Sequence, residues 1–128
     1  SELAVFESLA GNEQAIPSIS ISRFEVLGSG EPRLFKYRFL ATKSGSGGER
    51  NFKGRLELVL SVRNGDQLDI VTQSGKDGEL SYPLHYRFFK RVDGKFFVPG
   101  QGILEAVEAR LLEDGQIRAL QRINVIKR

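Results

Sequence analysis

A chain of 128 residues, 40% hydrophobic and 27% charged, is long enough for one globular domain with its own core and has the composition of a folded protein, not a disordered one. The absence of cysteine excludes disulfides, thiolate metal sites, iron–sulfur clusters and cysteine nucleophiles, and a single histidine excludes multi-imidazole metal centres. Nineteen basic against sixteen acidic residues give a net charge of +3, which permits an anionic partner but is also what an ordinary mixed-charge surface carries. No run nears the ~18 apolar residues that a membrane-spanning helix needs, and no signal-peptide pattern is present. The sequence contains no methionine and begins Ser1-Glu2-Leu3, so it is expected to be a processed product or a portion of a longer chain.

Along the chain, Leu3, Phe6 and Leu9/Ala10 recur at helical spacing, and Gly11 ends the pattern. Residues 1–11 are therefore expected to form a helical stub, and 12–128 a single β domain. After Pro17 the period changes to two: Ile19 and Ile21 oppose Ser18, Ser20 and Ser22, and the run continues through Phe24 and Val26 to the turn cluster Gly28-Ser29-Gly30-Glu31-Pro32. A second strand follows over Arg33 to Thr42, with Phe35, Tyr37, Phe39 and Ala41 on one face. The glycine-rich Ser44-Gly45-Ser46-Gly47-Gly48 leads into a strand instead of a helix and lacks the lysine and hydroxyl of a phosphate-binding loop, so it reads as a hairpin loop.

Phe52 to Arg63 is the cleanest strand, its inward set Phe52, Leu56, Leu58, Leu60 and Val62 set against a charged outer face. Asn64-Gly65 marks a hairpin turn into a returning strand over Gln67 to Gln73. A Gly/Asp/Ser cluster over Ser74 to Glu79 then leads to Tyr82-Pro83. The stretch Leu84 to Pro99 holds five of the twelve aromatics, the one histidine and an Asp-Gly pair, and is read as a central hairpin joined at Val92-Asp93-Gly94. Ile103 to Glu113 fits either a helix, through Leu104, Val107, Leu111 and Leu112, or a strand. The strand reading is favoured, because Asp114-Gly115 then makes a tight turn into the alternating segment Gln116 to Lys127. About eight short strands separated by turn residues predict a mainly β fold: an antiparallel sandwich or partly open barrel with a short N-terminal helix.

Catalytic patterns are sparse. A triad would have to be built on His85, which lies mid-strand with no nucleophile motif nearby, and pairs such as Glu105/Glu108 or Glu57/Asp69 are what sixteen acidic residues supply by chance. Asn64-Gly65-Asp66 and Asp77-Gly78-Glu79 read as turns, not calcium loops. The expectation is no enzyme, no cofactor and no metal. The one chemical theme above background is basic residues interleaved with aromatics, in Lys36-Tyr37-Arg38-Phe39 and in His85 to Arg91. Strand geometry sends most of these rings to the core and the cations to water, which disfavours nucleic acid as the partner. Phe88 and Phe89 are adjacent, however, so that with Tyr86 and Phe88 inward Phe89 falls on the face of His85, Arg87 and Arg91, where either a second layer covers it or it forms an exposed apolar spot ringed by cations. These four residues are the candidate binding surface.

The segments Leu3-Ala4-Val5-Phe6, Phe35 to Thr42, Gly54 to Leu60 and Tyr86 to Pro99 resemble the C-terminal β domain of an uncharacterised family of proteobacterial inner-membrane coiled-coil proteins. The resemblance implies a cell-envelope protein on the periplasmic side of the inner membrane, anchored by upstream segments and associated with the bactofilin cytoskeleton. It also implies that Glu2 to Ala10 ends a coiled coil through which the protein oligomerises. The function expected from all of this is a non-enzymatic interaction or scaffold domain that binds an envelope or cytoskeletal protein. The alternative is a module for an anionic polymer, either cell-wall glycan or nucleic acid.

Overall fold

The computed structural model describes residues 18–44, 51–74 and 83–125. Within them are eight strands: β1 (Ser18–Gly28), β2 (Leu34–Ser44), β3 (Phe52–Asn64), β4 (Gln67–Ser74), β5 (Pro83–Tyr86), β6 (Phe89–Phe97), β7 (Ile103–Glu113) and β8 (Gln116–Asn124). All pair antiparallel, in a three-stranded sheet of order β1-β2-β6 and a five-stranded sheet of order β4-β3-β7-β8, with β5 extending the β4 side of β3. The two sheets face each other as a sandwich. The expected N-terminal helix lies outside the described residues, as do residues 45–50 and 75–82, which hold most of the glycine-rich loop and of the Ser74 to Glu79 cluster.

Alternation builds the core. From β2, Tyr37, Phe39 and Ala41 point inward while Lys36 and Arg38 stay exposed; from β3, Leu56, Leu58, Leu60 and Val62 point inward, and Val59 and Ser61 on its other face are buried too, against the charged outer face expected there. Val92 and Phe96 of β6 and Val107, Ala109 and Leu111 of β7 complete the layer. Each fully buried leucine or valine contributes about 1.5–3 kcal/mol relative to exposure, so this layer is the main source of stability. Phe24 meets Phe39 edge-on at 6.1 Å, and Phe35 stacks on Phe96 at 5.6 Å.

Two of the expected hairpins are present. Asp114 and Gly115, at φ 54° and 79°, form the two-residue link between Glu113 and its partner Gln116, with both central residues at positive φ as an I′ turn requires. Gly65, at φ 61°, begins the equally tight β3–β4 link. Ile103 to Glu113 is strand, not helix.

The central hairpin is not. β6 runs unbroken through Val92-Asp93-Gly94, and the chain turns instead at Arg87-Phe88, where it leaves the five-stranded sheet after β5 and enters the three-stranded one. Gly94 serves packing: it lies opposite Tyr37, and a Cβ there would stand 2.5 Å from the Tyr37 Oη. Asp93 lies opposite Arg38. An Asp-Gly pair thus marks a cross-strand ring in place of a turn.

No backbone ladder joins the sheets among the described residues. Side chains bridge them instead: the Tyr86 hydroxyl donates to the Thr42 carbonyl at 3.1 Å, Gln73 Nε2 to the Phe97 carbonyl at 2.9 Å, and Gln121 Nε2 to the Ile21 carbonyl at 3.4 Å. The result is a sandwich, not a closed barrel.

Candidate interaction surface

The link between the sheets places the candidate residues. Tyr86 is the last buried residue of β5; its ring lies 5.2 Å from Phe52, and burial pushes its phenol up to about 12. The chain then passes over the end of the sandwich, and the Lys43 amide donates to the Phe88 carbonyl at 2.9 Å. That bond ties the bend to β2. Phe88 and Phe89 are consequently held at the surface, 58% and 66% exposed. Such exposure is unusual for adjacent phenylalanines in a domain that buries Tyr37, Phe39 and Phe96 almost completely.

The four residues singled out in the sequence are all exposed but do not share one face. Phe89 and Arg91 project from the outer side of β6, opposite Thr42 and Leu40. Arg87 is in the bend, its guanidinium 5.0 Å from the centre of the Phe88 ring, within cation–π range. His85 alternates with the buried Leu84 and Tyr86, so it points out of the five-stranded sheet, opposite Lys53, with its Nε2 2.9 Å from Asn51 Nδ2. Phe88 belongs to the surface and not to the core. The inward assignment assumed an unbroken strand, and the bend resets the alternation between Tyr86 and Phe89. Two aromatics in succession amid basic residues were the available signal.

The exposed Lys90 leaves β6 on the inner side, opposite Ala41, whereas Arg87 stacks on Phe88 and Arg91 shares the outer side of β6 with Phe89. Beside them on the outer sheet face, Arg23, Arg38 and Arg91 meet Glu25 and Asp93 around a shallow depression of about 350 Å³. Arg38 Nε donates to Glu25 Oε1 at 2.7 Å, so part of that charge is already compensated. Among the described residues no three His, Asp or Glu side chains gather to hold a metal ion, and no helix is long and apolar enough to cross a membrane.

The chain belongs to a protein family of unknown function, DUF6776, which matches residues 1–108. No curated protein matches it. Among solved structures it is similar to the β-glucosidase of Kluyveromyces marxianus, in its selenomethionine-labelled form (TM-score 0.44) and in complex with glucose (TM-score 0.43), each at 11% identity over 88% of this chain. The chain spans 14% of the length of those chains.

Proposed function

We propose that this domain is a non-enzymatic interaction module of a membrane-anchored envelope protein, working on the periplasmic side of the inner membrane. Its contact surface is the bend between the two sheets: Phe88 and Phe89 as apolar anchors, Arg87 and Arg91 as the polar rim, and His85 at the margin. The observation that carries this reading is the exposure of two neighbouring phenylalanines on a bend fixed by the Lys43–Phe88 backbone bond. Aromatic and arginine side chains at a fixed position are the residues that dominate protein interfaces when a partner desolvates them. The upstream segments would supply the anchor, and a coiled coil there would make the intact protein an oligomer, raising the avidity of each contact. The partner class is an envelope or cytoskeletal protein, with the bactofilin system the first to test.

The test is capture from envelope extracts by the native chain and by a Phe88→Ser/Phe89→Ser variant. A protein partner anchored by the rings should be lost from the variant at all salt concentrations. The surrounding cations favour a second reading, an anionic polymer, in which binding falls steeply with salt and Arg87→Glu/Arg91→Glu is the damaging change. Retention of every captured protein and polymer by both variants would remove this surface from consideration.

A further inference from the structure

At the end of the sandwich opposite the Phe88-Phe89 bend, the sheets part to leave a cleft of about 720 Å³. Val26 and Phe35 line it from the three-stranded sheet, Ile123 and Val125 from the end of β8, and Val98 from the β6–β7 connection. Four of these, Val26, Phe35, Ile123 and Val125, are only partly buried although they pack on the core, so apolar surface stays open to water there. Among the described residues the edges of β1 and β8 flank the opening without pairing, and the size is that of sites for small organic ligands.

Arg33 also lines this cleft. It is half-buried, at φ 68°, and its guanidinium donates to three carbonyls: Nε to Val98 at 2.9 Å, Nη1 to Gly102 at 3.0 Å and Nη2 to Pro99 at 3.1 Å. None of these partners carries a negative charge. A guanidinium has five N–H donors, so the three carbonyls fix its plane and leave one donor on each Nη. With neutral carbonyls as its partners, the guanidinium brings to the cleft a positive charge that a carboxylate would match.

We propose that this cleft binds a single-chain fatty carboxylate, the acyl tail lying between the sheets against Phe35 and Ile123 and the carboxylate pairing with Arg33. Each methylene withdrawn from water favours binding, and the fixed guanidinium sets the direction of entry. The site is separate from the bend proposed as the protein contact, so neither reading depends on the other.

The experiment is titration of the chain with dodecanoate below its micelle concentration, followed by amide chemical shifts, with dodecanol as the uncharged control and phosphatidylglycerol vesicles as a bilayer control. Saturable shifts should centre on Val26, Phe35, Ile123 and Val125, and dodecanoate should bind about tenfold more tightly than dodecanol, the scale of one charge-assisted hydrogen bond. Arg33→Gln should abolish that preference. Because Arg33→Gln also loosens the β6–β7 connection, Ile123→Trp serves as a second variant, filling the cleft while leaving Arg33 in place and weakening both ligands at least about tenfold. The proposal is overturned by any of three results: no dodecanoate binding, undiminished binding by Ile123→Trp, or shifts concentrated at Phe88-Phe89. Equal affinity for dodecanoate and dodecanol, or binding to vesicles alone, overturns it as well.

Discussion

At the scale of single residues, Gly94 shows how little room the three-stranded sheet leaves. Its missing side chain is the space that the Tyr37 ring occupies, and Tyr37 is only 1% exposed. Gly94→Ala therefore has to displace a buried ring, at roughly 1–3 kcal/mol, visible as a lower denaturant midpoint. Gly54→Ala is expected to cost more than Gly94→Ala, since its Cβ would collide with the Leu112 carbonyl, a backbone atom that cannot rotate away. Gly28→Ala is the control: nothing lies within 4 Å of its Cβ position, and stability should stay within about 0.5 kcal/mol. Tyr86 makes a different residue-level prediction. Its phenol is raised from 10.0 to about 12 chiefly by burial, so the fold favours the protonated form. This contribution is complete below pH ~10, where the unfolded phenol is still protonated, and is lost as pH climbs through about 12. Stability measured across that range should fall more steeply for the native chain than for Tyr86→Phe. The variant should in turn lose about 1 kcal/mol at neutral pH, with the Thr42 carbonyl left without its donor.

At the scale of elements, β4 lies at an edge among the described strands and carries an acid turned inward. Asp69 lies opposite Val62, on the face that otherwise meets the core, and accepts from Asn64 Nδ2 at 2.7 Å and Gln67 Nε2 at 2.8 Å. Around it run Leu68, Ile70 and Val71, with Ile70 60% exposed. An inward charge on an apolar edge blocks another strand from continuing the sheet. Asp69→Val would join four apolar residues into one run, and the variant is expected to self-associate with rising concentration, read by light scattering, while the monomer changes by less than about 1 kcal/mol. A variant with the scattering mass of the native chain would show that Asp69 has no such role. The elements also show what the sequence makes legible. β3 is legible because its core face is an unbroken apolar set, although the charged outer face read from the sequence is buried at Val59 and Ser61, and the β7–β8 hairpin is legible because Asp114-Gly115 can hold two positive φ values between runs of similar length. The Arg87-Phe88 bend is not, for Tyr86 to Arg91 contains no glycine or proline. The chain turns there because Tyr86 pairs with Phe52 in one sheet and Phe89 with Thr42 in the other, contacts some thirty to fifty residues distant in sequence. Asp93-Gly94 misled for the converse reason: local turn chemistry was overridden by a ring packed across the strand. His85, Arg87, Phe89 and Arg91 were legible as exposed groups, but their division between two sheets depended on that bend.

At the scale of the whole molecule, the sandwich divides its apolar residues between two uses. Leu58 is fully buried between the sheets, held by β3 at the centre of the five-stranded sheet, whereas Phe88 and Phe89 remain in water at the rim. If the rings serve a partner and not the fold, the two kinds of residue must separate cleanly in a stability measurement. Leu58→Ala should cost about 2–5 kcal/mol, through lost transfer energy and a cavity that two packed sheets cannot collapse. A loss of that size is a large part of the 5–15 kcal/mol typical of a domain, so the variant should melt many degrees lower. Phe89→Ala removes a larger side chain but is expected to change stability by less than about 0.5 kcal/mol, because most of its surface is already solvated. The same holds for Phe88, apart from the weak stacking of Arg87 on its ring. Parallel denaturant titrations of the three variants decide the matter. Should Phe89→Ala prove as costly as Leu58→Ala, the ring is structural in solution and the case for the bend as a contact surface fails before any partner is sought.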